Sequence, residues 1–471
     1  MQNRHASLIA KLRQLVGEAN VHTSVTNLHV HAYDATPLLH EHPLAVVDPR
    51  SEEDVHRLLE WANEEGIGLI PRGSGTGLSG GAVPVANSVV VRFHHWNRIE
   101  EIDEENLTAW VQPGVITAHL HEAVEARGLF YPPDPGSMKI CTIGGNVAEN
   151  SGGLRGLKYG VTANYVMGIE GFLPSGQPIC TGNKCVKDVA GYNIKQLLVG
   201  SEGTLAIFTR ILLKLIPRPQ SSRTLLALFD SMRAAASAVS EIIAYPIIPV
   251  TLEFLDRVTV QCVEDFAHIG LPRDVESLLL IESDGHPVVV DEEITAIQHI
   301  VRENGAREVH LAQDKAEAER LKTARRAAFS ALARVRPTTI LEDVTVPRSV
   351  LPDMVAAIEA IAQRYRLQIG VFGHAGDGNL HPTVLCDERD REEMQRVEQA
   401  LEAIFETAVQ LGGTLTGEHG IGLAKRPFLE RLADAGALEL MRHIRRVVDP
   451  NGILNPGKVL LPRPRCETLV I

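Results

Sequence analysis

The chain has 471 residues, of which 44% are hydrophobic and 22% are charged, as expected for a globular enzyme of two or three domains. A net charge of −13 and an aromatic content of 4% argue against nucleic-acid binding. Its six cysteines form no Cys-x-x-Cys pair, which argues against a disulfide framework, a zinc ribbon or an iron–sulfur cluster. No run reaches ~18 apolar residues, so we expect no membrane span and a cytoplasmic location.

The N-terminal part begins with helix and strand patterns. "MQNRHASLIAKLRQLVGEAN" carries Arg4, Lys11 and Arg13 within its only apolar stretch, so it predicts an amphipathic helix and not a signal peptide. "HPLAVVDPRSEEDVHRLLEWANEEG" predicts a strand, a turn and a helix whose N-cap is Ser51. Glycine-rich segments then cluster between residues 73 and 203, which suggests one large ligand held mainly by main chain.

From about residue 222 the pattern changes to alternating strands and helices. "TLLALF", "VTLEFL" and "SLLLIES" predict strands, "SMRAAASAVSEIIAY" predicts a helix, and further helices are expected near 292–304 and 315–335. This alternation predicts an α+β fold whose second domain has a mostly antiparallel sheet. The predicted division is an N-terminal helical segment, a first domain, a second domain and a C-terminal segment that returns to the first domain, with the bounds 1–37, 38–217, 218–430 and 431–471.

The loop "PRGSGTGLSGG" contains Gly75-x-Gly77-x-x-Gly80, which as a bare pattern is the dinucleotide fingerprint. The NAD interpretation requires a helix directly after the loop, but "GAVPVANSVVVRF" predicts a strand. Successive main-chain N–H groups can still bind a pyrophosphate as an anion nest. Arg72 either adds charge to that nest or forms a structural salt bridge.

A second cluster of polar residues surrounds the turn "GHAGDGNLHP". His374 and His381 flank this turn between two predicted strands, and "TGEHGIG" adds Glu418 and His419. Two imidazoles and one carboxylate are a common ligand set for a divalent metal with open positions. Structural or solvent-facing loop histidines are the alternative.

Six segments together resemble one family, the FAD-linked D-2-hydroxyacid dehydrogenases of the vanillyl-alcohol oxidase (PCMH-type) superfamily. Within it the chain resembles especially the flavin subunits of glycolate oxidases and the D-lactate dehydrogenases. The resemblance runs from about residue 40 to 460, with the motifs in the family's order. These motifs are "PRGSGTGLSGG", "GGNVAENSGGLRGLKYGV", "KDVAGYNIKQLLVGSEGTLAIFT", "HAGDGNLHP", "GEHGIGLAKR" and "DPNGILNPGKVL".

The resemblance implies a two-domain PCMH-type FAD-binding fold with an antiparallel-sheet cap domain. Residue 76 is Thr, where some relatives have a His that binds FAD covalently, so non-covalent FAD is implied. The residues implied to hold FAD are Arg72, Gly73, Ser74, Gly75, Thr76, Gly77, Leu78, Ser79, Gly80, Gly81, Thr142, Gly144, Gly145, Asn146, Asn150, Gly152, Gly153, Glu202, Gly203, Ile207 and Asn455.

The family pattern also implies the catalytic groups. It places His374, His381 and Glu418 as ligands of zinc, manganese or iron, and His419 as the general base. In this chemistry the hydride leaves Cα for flavin N5, the metal stabilises the developing alkoxide, and the base takes the hydroxyl proton. For substrate binding it implies Arg325 as the cation for the carboxylate, and Asn379 is a further candidate.

One departure from the family bears on the substrate. Relatives acting on D-2-hydroxyglutarate have a Lys in the segment that here reads "LEDVTVPRS", where Leu341, Glu342 and Asp343 stand. An anionic pair would repel a second carboxylate, which favours a small monocarboxylic acid such as D-lactate or glycolate over D-2-hydroxyglutarate or another larger acid.

The resemblance further implies electron acceptors and partners. A quinone, a cytochrome or a flavoprotein is the expected acceptor, with partner flavin and iron–sulfur subunits that could bring the chain to the inner membrane face. Two interpretations of another kind stay open: a zinc hydrolase built on the histidines, and a flavin subunit without catalytic activity.

Overall fold

The computed structural model describes residues 2–461 and consists of two regions that meet at a deep cleft. The last ten residues of the predicted C-terminal segment, 462–471, lie outside the described residues. In the first region the strands are β1 (Val21–His22), β2 (Ala45–Val47), β3 (Gly68–Arg72), β4 (Ser88–Arg92), β5 (Ile99–Asp103), β6 (Thr108–Val111), β7 (Leu129–Phe130), β8 (Val166–Phe172), β9 (Pro178–Gly182), β10 (Ile207–Lys214) and β11 (Ile216–Pro217). Its helices are α1 (Gln2–Val16), α2 (Val25–Val30), α3 (Glu52–Glu65), α4 (Thr117–Glu125), α5 (Ile143–Glu149), α6 (Gly156–Tyr159) and α7 (Ile194–Leu198).

The first region contains two main sheets. One has the strand order β1-β2-β4-β3, and the other is antiparallel with the order β5-β6-β10-β8-β9. The predicted amphipathic helix is confirmed as α1, which buries Leu8 and Leu12 with α3 against the first sheet. The predicted N-cap of α3 is also confirmed, because Ser51 forms a capping box with Asp54.

The second region is built on one eight-stranded sheet. Its strands are β12 (Ser221–Phe229), β13 (Thr251–Asp256), β14 (Ser277–Gly285), β15 (Ala306–Leu311), β16 (Thr338–Leu341), β17 (Val344–Thr345), β18 (Gln368–His374) and β19 (Asn379–Cys386). The helices that follow or separate them are α8 (Met232–Ala244), α9 (Arg257–Ala267), α10 (Pro287–Glu303), α11 (Lys315–Arg326), α12 (Ala328–Leu332), α13 (Leu351–Tyr365), α14 (Arg391–Gln410), α15 (Arg426–Leu432) and α16 (Ala435–Val448). The strand order is β15-β12-β14-β13-β18-β19-β16, with β17 paired to β19.

All pairings in this sheet are antiparallel, which confirms the predicted α+β class and its antiparallel second sheet. Apolar side chains of α8, α10, α13 and α14 cover one face, and those of α9, α11 and α12 cover the other. The central strand β13 is therefore buried along its whole length. A charged side chain on such a strand needs a partner inside the protein.

One predicted helix, 315–335, is interrupted. Ala327 has a ψ of −9°, which breaks the regular helical repeat and separates α11 from α12. The chain end also returns to the first region, where Leu454 pairs in parallel with Leu69 of β3. Among residues 2–461, no helix combines the length and the apolar character needed to cross a bilayer.

Candidate functional site

The cleft between the two regions encloses about 670 Å³ and receives side chains from both. Most of the residues predicted as functional line it. These are Arg72, Gly73, Ser74, Gly75, Thr76, Gly77, Leu78, Gly81, Thr142, Gly144, Gly145, Asn146, Glu202, Gly203, Ile207, Arg325, His374, His381, Glu418, His419 and Asn455. Six predicted residues are not part of the lining, namely Ser79, Gly80, Asn150, Gly152, Gly153 and Asn379.

The glycine loop leaves β3 at Arg72 and leads into β4, so no helix follows it. Arg72 is buried and donates a hydrogen bond to the carbonyl of Ala82, 3.1 Å away. Its guanidinium lies directly against Gly75, which has a φ of +71° and leaves no room for a Cβ. The glycine therefore lets the arginine and the loop backbone face the same side of the cleft.

The second glycine segment forms the start of α5. Thr142 caps this helix by accepting a hydrogen bond from the N–H of Gly145, and a Cβ on Gly144 would lie 2.6 Å from Pro113 Cβ. Asn150 has a structural role in this segment. It ends α5 with a φ of +57°, and its Oδ1 accepts a hydrogen bond from the N–H of Ala163, so it shapes the turn outside the cleft.

The other predicted residues outside the lining hold neighbouring chain segments. The carbonyl of Ser79 accepts hydrogen bonds from Leu423 and Ala424. A Cβ on Gly80 would meet Leu39 and Leu423, and one on Gly153 would meet the backbone of Asp134. These positions therefore pack protein against protein.

The lining carries buried polar atoms that lack protein partners among the described residues. Asn455 donates hydrogen bonds from Nδ2 to the carbonyls of Gly81 and Glu202, but its Oδ1 accepts none. Oε2 of Glu149 is likewise buried without a partner. Burial, followed by the nearby Glu202 and Asp34 carboxylates, raises the pKa of Glu149 well above its usual range. Buried polar atoms rarely stay unpaired, so the lining fits a polar cofactor.

Across the cleft, the hairpin of β18 and β19 presents the two histidines to one carboxylate. Glu418 Oε1 lies 3.1 Å from His374 Nε2 and 3.3 Å from His381 Nε2. One ligand atom from each of the three residues lies within 4.8 Å of the others. Burial alone would raise the pKa of Glu418, but His374 and His381 outweigh it and hold this pKa well below the usual range. Two imidazoles around an ionised carboxylate fit a divalent cation.

Each histidine has a further acidic neighbour. His374 Nδ1 lies 2.6 Å from Glu253 Oε1, and His381 Nδ1 lies 3.6 Å from Asp343 Oδ1. Burial would lower the pKa of His374, but Glu253 and Glu418 hold it well above the ordinary value. A carboxylate behind a histidine fixes the orientation of the ring, as is usual around metal-binding histidines.

His419 lies beside this cluster with its ring stacked on that of His381, at 5.0 Å between centroids and 10° between planes. Burial and the nearby His381 lower the pKa of His419 to about 4 against the opposing effect of Asp343. Its Nδ1 is buried without a hydrogen-bond partner among the described residues. The ring is therefore neutral at pH 7 and able to accept a proton.

The loop that carries Glu418 and His419 is held from both regions. Asp343 Oδ2 accepts hydrogen bonds from the N–H groups of Gly417, Glu418 and His419, at 2.8–3.0 Å, and from the hydroxyl of Thr416. In the first region, Glu202 accepts hydrogen bonds from the N–H groups of Ile421 and Gly422, both at 2.7 Å.

Arg325 lines the cleft but is partly engaged. Its Nε donates a 2.5 Å hydrogen bond to Glu253 Oε2, and its guanidinium lies 4.8 Å from the ring centroid of Phe372. No hydrogen bond joins its two Nη groups to any residue in 2–461, so this fork faces the cleft. Arg326 also lines the cleft and pairs with the buried Asp134 at 3.1 Å.

The structure contradicts the expected repulsion of a second carboxylate by Glu342 and Asp343. Only Leu341 of that segment lines the cleft. Glu342 lies 3.5 Å from the buried Lys425, and Asp343 faces the loop amides. Asn379 is also outside the cleft lining. Its Nδ2 donates hydrogen bonds to Asp343 Oδ1, to the carbonyl of Val344 and to Thr345 Oγ1.

Sequence reasoning missed two residues that organise the site. Glu253 was not singled out, although an acid inside the apolar strand "VTLEFL" is an unusual pattern and is a usable signal. Asp343 was considered only as a charge facing the substrate. Nothing in the local sequence identifies its partners, which lie 73–76 positions further along the chain.

Comparison with known proteins agrees with this arrangement. The family model described as "FAD linked oxidases, C-terminal domain" matches residues 218–459, and that described as "FAD binding domain" matches residues 43–182. The glycolate oxidase subunit GlcD of Bacillus subtilis (strain 168) is 53% identical over 449 residues, which cover 95% of this chain and 96% of that protein. This chain belongs to the FAD-linked oxidases.

Further relatives and solved structures extend the likeness. The D-lactate dehydrogenase of Archaeoglobus fulgidus is 36% identical, with 88% of this chain and 91% of that protein covered. The 4-ethylphenol oxidase of Gulosibacter chungangensis superposes with a TM-score of 0.81 at 18% identity, over 99% of both chains. For p-cresol methylhydroxylase the TM-score is 0.77 at 18% identity, over 98% of this chain and 97% of that one. The PCMH-type fold and the assignment as an FAD-linked oxidoreductase are thereby confirmed.

We predict that Asp343→Asn loosens the loop of Glu418 and His419. An Asn side chain can offer its oxygen either to the loop amides or to Asn379, whereas the carboxylate serves both. We expect the free energy of unfolding to fall by roughly 2 kcal/mol or more. We also expect hydrogen exchange at the amides of residues 417–419 to accelerate.

Glu342→Gln is the matched control for this variant, since it changes the adjacent buried acid without touching the loop. Burial raises the pKa of Glu342 against the opposing effect of Lys425. Unchanged exchange at 417–419 in Asp343→Asn would refute the role of Asp343.

Proposed function

We propose that this FAD-linked oxidoreductase converts a small D-2-hydroxy acid, D-lactate or glycolate, into the corresponding 2-keto acid. The observation that carries the proposal is the placement of the neutral His419 beside His374, His381 and Glu418 in the cleft that the glycine loops line. The names of the similar glycolate oxidase subunit and D-lactate dehydrogenase support the choice of acids.

In this proposal the chain holds FAD through the glycine loop, the start of α5 and Asn455, and a divalent metal (zinc, manganese or iron) through His374, His381 and Glu418. FAD, bound without a covalent link, supplies the hydride acceptor, and the metal supplies a Lewis acid. Glu253 keeps the ring of His374 oriented from behind through its 2.6 Å contact with Nδ1.

His419 and Arg325 act on the substrate itself. The neutral imidazole of His419 accepts the hydroxyl proton as the Cα–H bond breaks. The Nη groups of Arg325 bind the substrate carboxylate, since a guanidinium fork matches two carboxylate oxygens. The 2.5 Å bond of Arg325 to Glu253 and the ring of Phe372 hold the guanidinium in place.

Arg326 favours a second candidate substrate. It lines the cleft next to Arg325, whereas Glu342 and Asp343 are not part of the lining and do not face a second carboxylate. D-2-hydroxyglutarate is therefore the alternative, although the salt bridge to Asp134 already uses part of the Arg326 charge. For either acid we propose a quinone, a cytochrome or a flavoprotein as the electron acceptor, with partner flavin and iron–sulfur subunits.

The first experiment is an anaerobic visible spectrum of the purified protein with D-lactate, glycolate or D-2-hydroxyglutarate. We expect the flavin absorbance to bleach with D-lactate or glycolate. Bleaching only with D-2-hydroxyglutarate would select the second candidate. Bound flavin that no acid bleaches would contradict the proposed reaction and favour a flavin subunit without catalysis.

We predict that His419→Gln lowers the rate of bleaching by about 10²–10⁴-fold, the usual loss for a missing general base. Flavin content and metal content should stay at wild-type levels, because His419 is not assigned to hold either group. His443→Gln changes an exposed histidine of α16 and should behave as wild type. A wild-type bleaching rate in His419→Gln would eliminate this residue as the base.

The double variant His374→Ala/His381→Ala should lose the bound metal, measured by elemental analysis of the purified protein. Two of three ligands are removed, and the remaining carboxylate cannot hold a divalent ion in competition with water. The control is His299→Ala/His443→Ala, which removes two exposed histidines outside the cleft. Wild-type metal stoichiometry in the cleft variant would show that the ligands are elsewhere.

A further inference from the structure

A second cavity of about 600 Å³ lies next to the cleft. Asp34, Ala35 and Phe329 line both cavities and therefore form part of the wall between them. The second cavity, which we call the side groove, is formed by residues 29–42 and by residues 329–339 of the second region. None of the groups assigned above to substrate or metal lies in it.

The wall of the side groove is attached directly to the glycine loop. The N–H of Ala35 donates a 3.0 Å hydrogen bond to the carbonyl of Gly77, and the N–H of Gly80 donates a 2.7 Å hydrogen bond to Thr36 Oγ1. Only the segment of residues 35 and 36 therefore lies between a ligand in this part of the side groove and the glycine loop, which is proposed to hold the cofactor.

This wall is strained and apolar on its open side. Leu38 has a φ of +68°, an unfavourable conformation for a bulky residue, and 46% of its surface is exposed. Tyr33, which also lines the side groove, exposes 44% of its surface. Strained backbone and clustered exposed apolar groups are both typical of binding surfaces.

The side groove also carries hydrogen-bonding rings. The imidazoles of His29 and His42 lie 5.8 Å apart between centroids and are tilted by 30°, and Tyr33 meets His29 edge-on at 6.0 Å. Its lining within the described chain includes neither Lys nor Arg. A carrier bearing phosphate groups would thus find no cation, whereas a flat, uncharged ring would find apolar walls and N–H and O–H donors.

We propose that the side groove binds a quinone ring that accepts the electrons of the reaction. The proposal rests on the proposed function, since the electrons come from the hydroxy acid through the cofactor. Leu38 and Phe329 contact the ring, while His29, His42 and Tyr33 donate hydrogen bonds to the quinone oxygens.

The overall reaction balances with a quinone as the sole oxidant. The Cα–H and O–H bonds of the acid break, and two O–H bonds form on the quinone. Two electrons and two protons pass, and the products are the 2-keto acid and the quinol. The rings at the groove hold the two protons next to the oxygens that receive them.

The proposal is tested by a substitution that fills the side groove, with quinone binding to the FAD-loaded protein as the measured quantity. Ala333 is an exposed residue that lines the groove just after α12, so Ala333→Trp puts an indole into the space. Ala360→Trp makes the same change at an exposed position of α13 outside both cavities. Calorimetry with a short-chain ubiquinone gives the dissociation constant for each protein.

We expect Ala333→Trp to raise this dissociation constant at least tenfold and Ala360→Trp to leave it unchanged. A photoreactive azidoquinone should label peptides from residues 29–42 or 329–339. Equal dissociation constants in wild type and Ala333→Trp, or labelling confined to other peptides, would overturn the proposal. So would reoxidation by a redox protein alone with no quinone binding.

A second arm identifies the source of the quinone. Phosphatidylcholine vesicles containing long-chain ubiquinone are compared with the soluble short-chain compound. Binding to either supports the site, and binding to neither overturns it. Anaerobic bleaching by the hydroxy acid is recorded in the same samples. Bleaching without quinone binding would contradict only the proposed quinone site in the side groove. Quinone binding without bleaching would contradict only the proposed reaction of the hydroxy acid.

Discussion

The arrangement of the site depends on two buried carboxylates that hold one loop. Asp343 of the second region accepts hydrogen bonds from three loop amides and one hydroxyl, and Glu202 of the first region accepts hydrogen bonds from the amides of residues 421 and 422. Burying a carboxylate is costly unless it accepts several hydrogen bonds, and each of these two does. Because the loop between them carries Glu418 and His419, the placement of both side chains depends on both regions at once.

A third buried carboxylate, Glu253, contacts two residues with different proposed roles that are far apart in the sequence. One oxygen contacts His374 and the other contacts Arg325, so a single side chain orients a proposed metal ligand and the proposed substrate cation. Removing either partner would leave a buried charge without full compensation, which is strongly unfavourable. The strand β13 that carries Glu253 lies next to β18, whose last residue is His374, and the register places these two residues opposite each other.

The sequence was sufficient to predict the parts of the site that are local motifs. The strands on either side of "GHAGDGN" were expected, and their hairpin indeed places His374 and His381 around one carboxylate. Glycine motifs were less specific, because a glycine indicates that another group lies close to the backbone but does not identify that group. At Gly153 the approaching group is the backbone of Asp134. The unusual acid at Glu253 was visible locally, but the partners of Glu253 and Asp343 were beyond local reasoning, since only the tertiary fold brings them near.

The two proposals place the two halves of the oxidation in separate cavities. The groups proposed to act on the hydroxy acid, His419 and Arg325, line the cleft, and the side groove lies behind residues 34–36, which contact the glycine loop. A ligand in one cavity therefore does not need to leave before a ligand enters the other. Phe329 lines both cavities from the second region, so a movement of that region relative to the glycine loop would alter both together. The hydrogen bonds of Asp343 and Glu202 to the loop of Glu418 and His419 oppose such a movement, so they also affect access to both cavities.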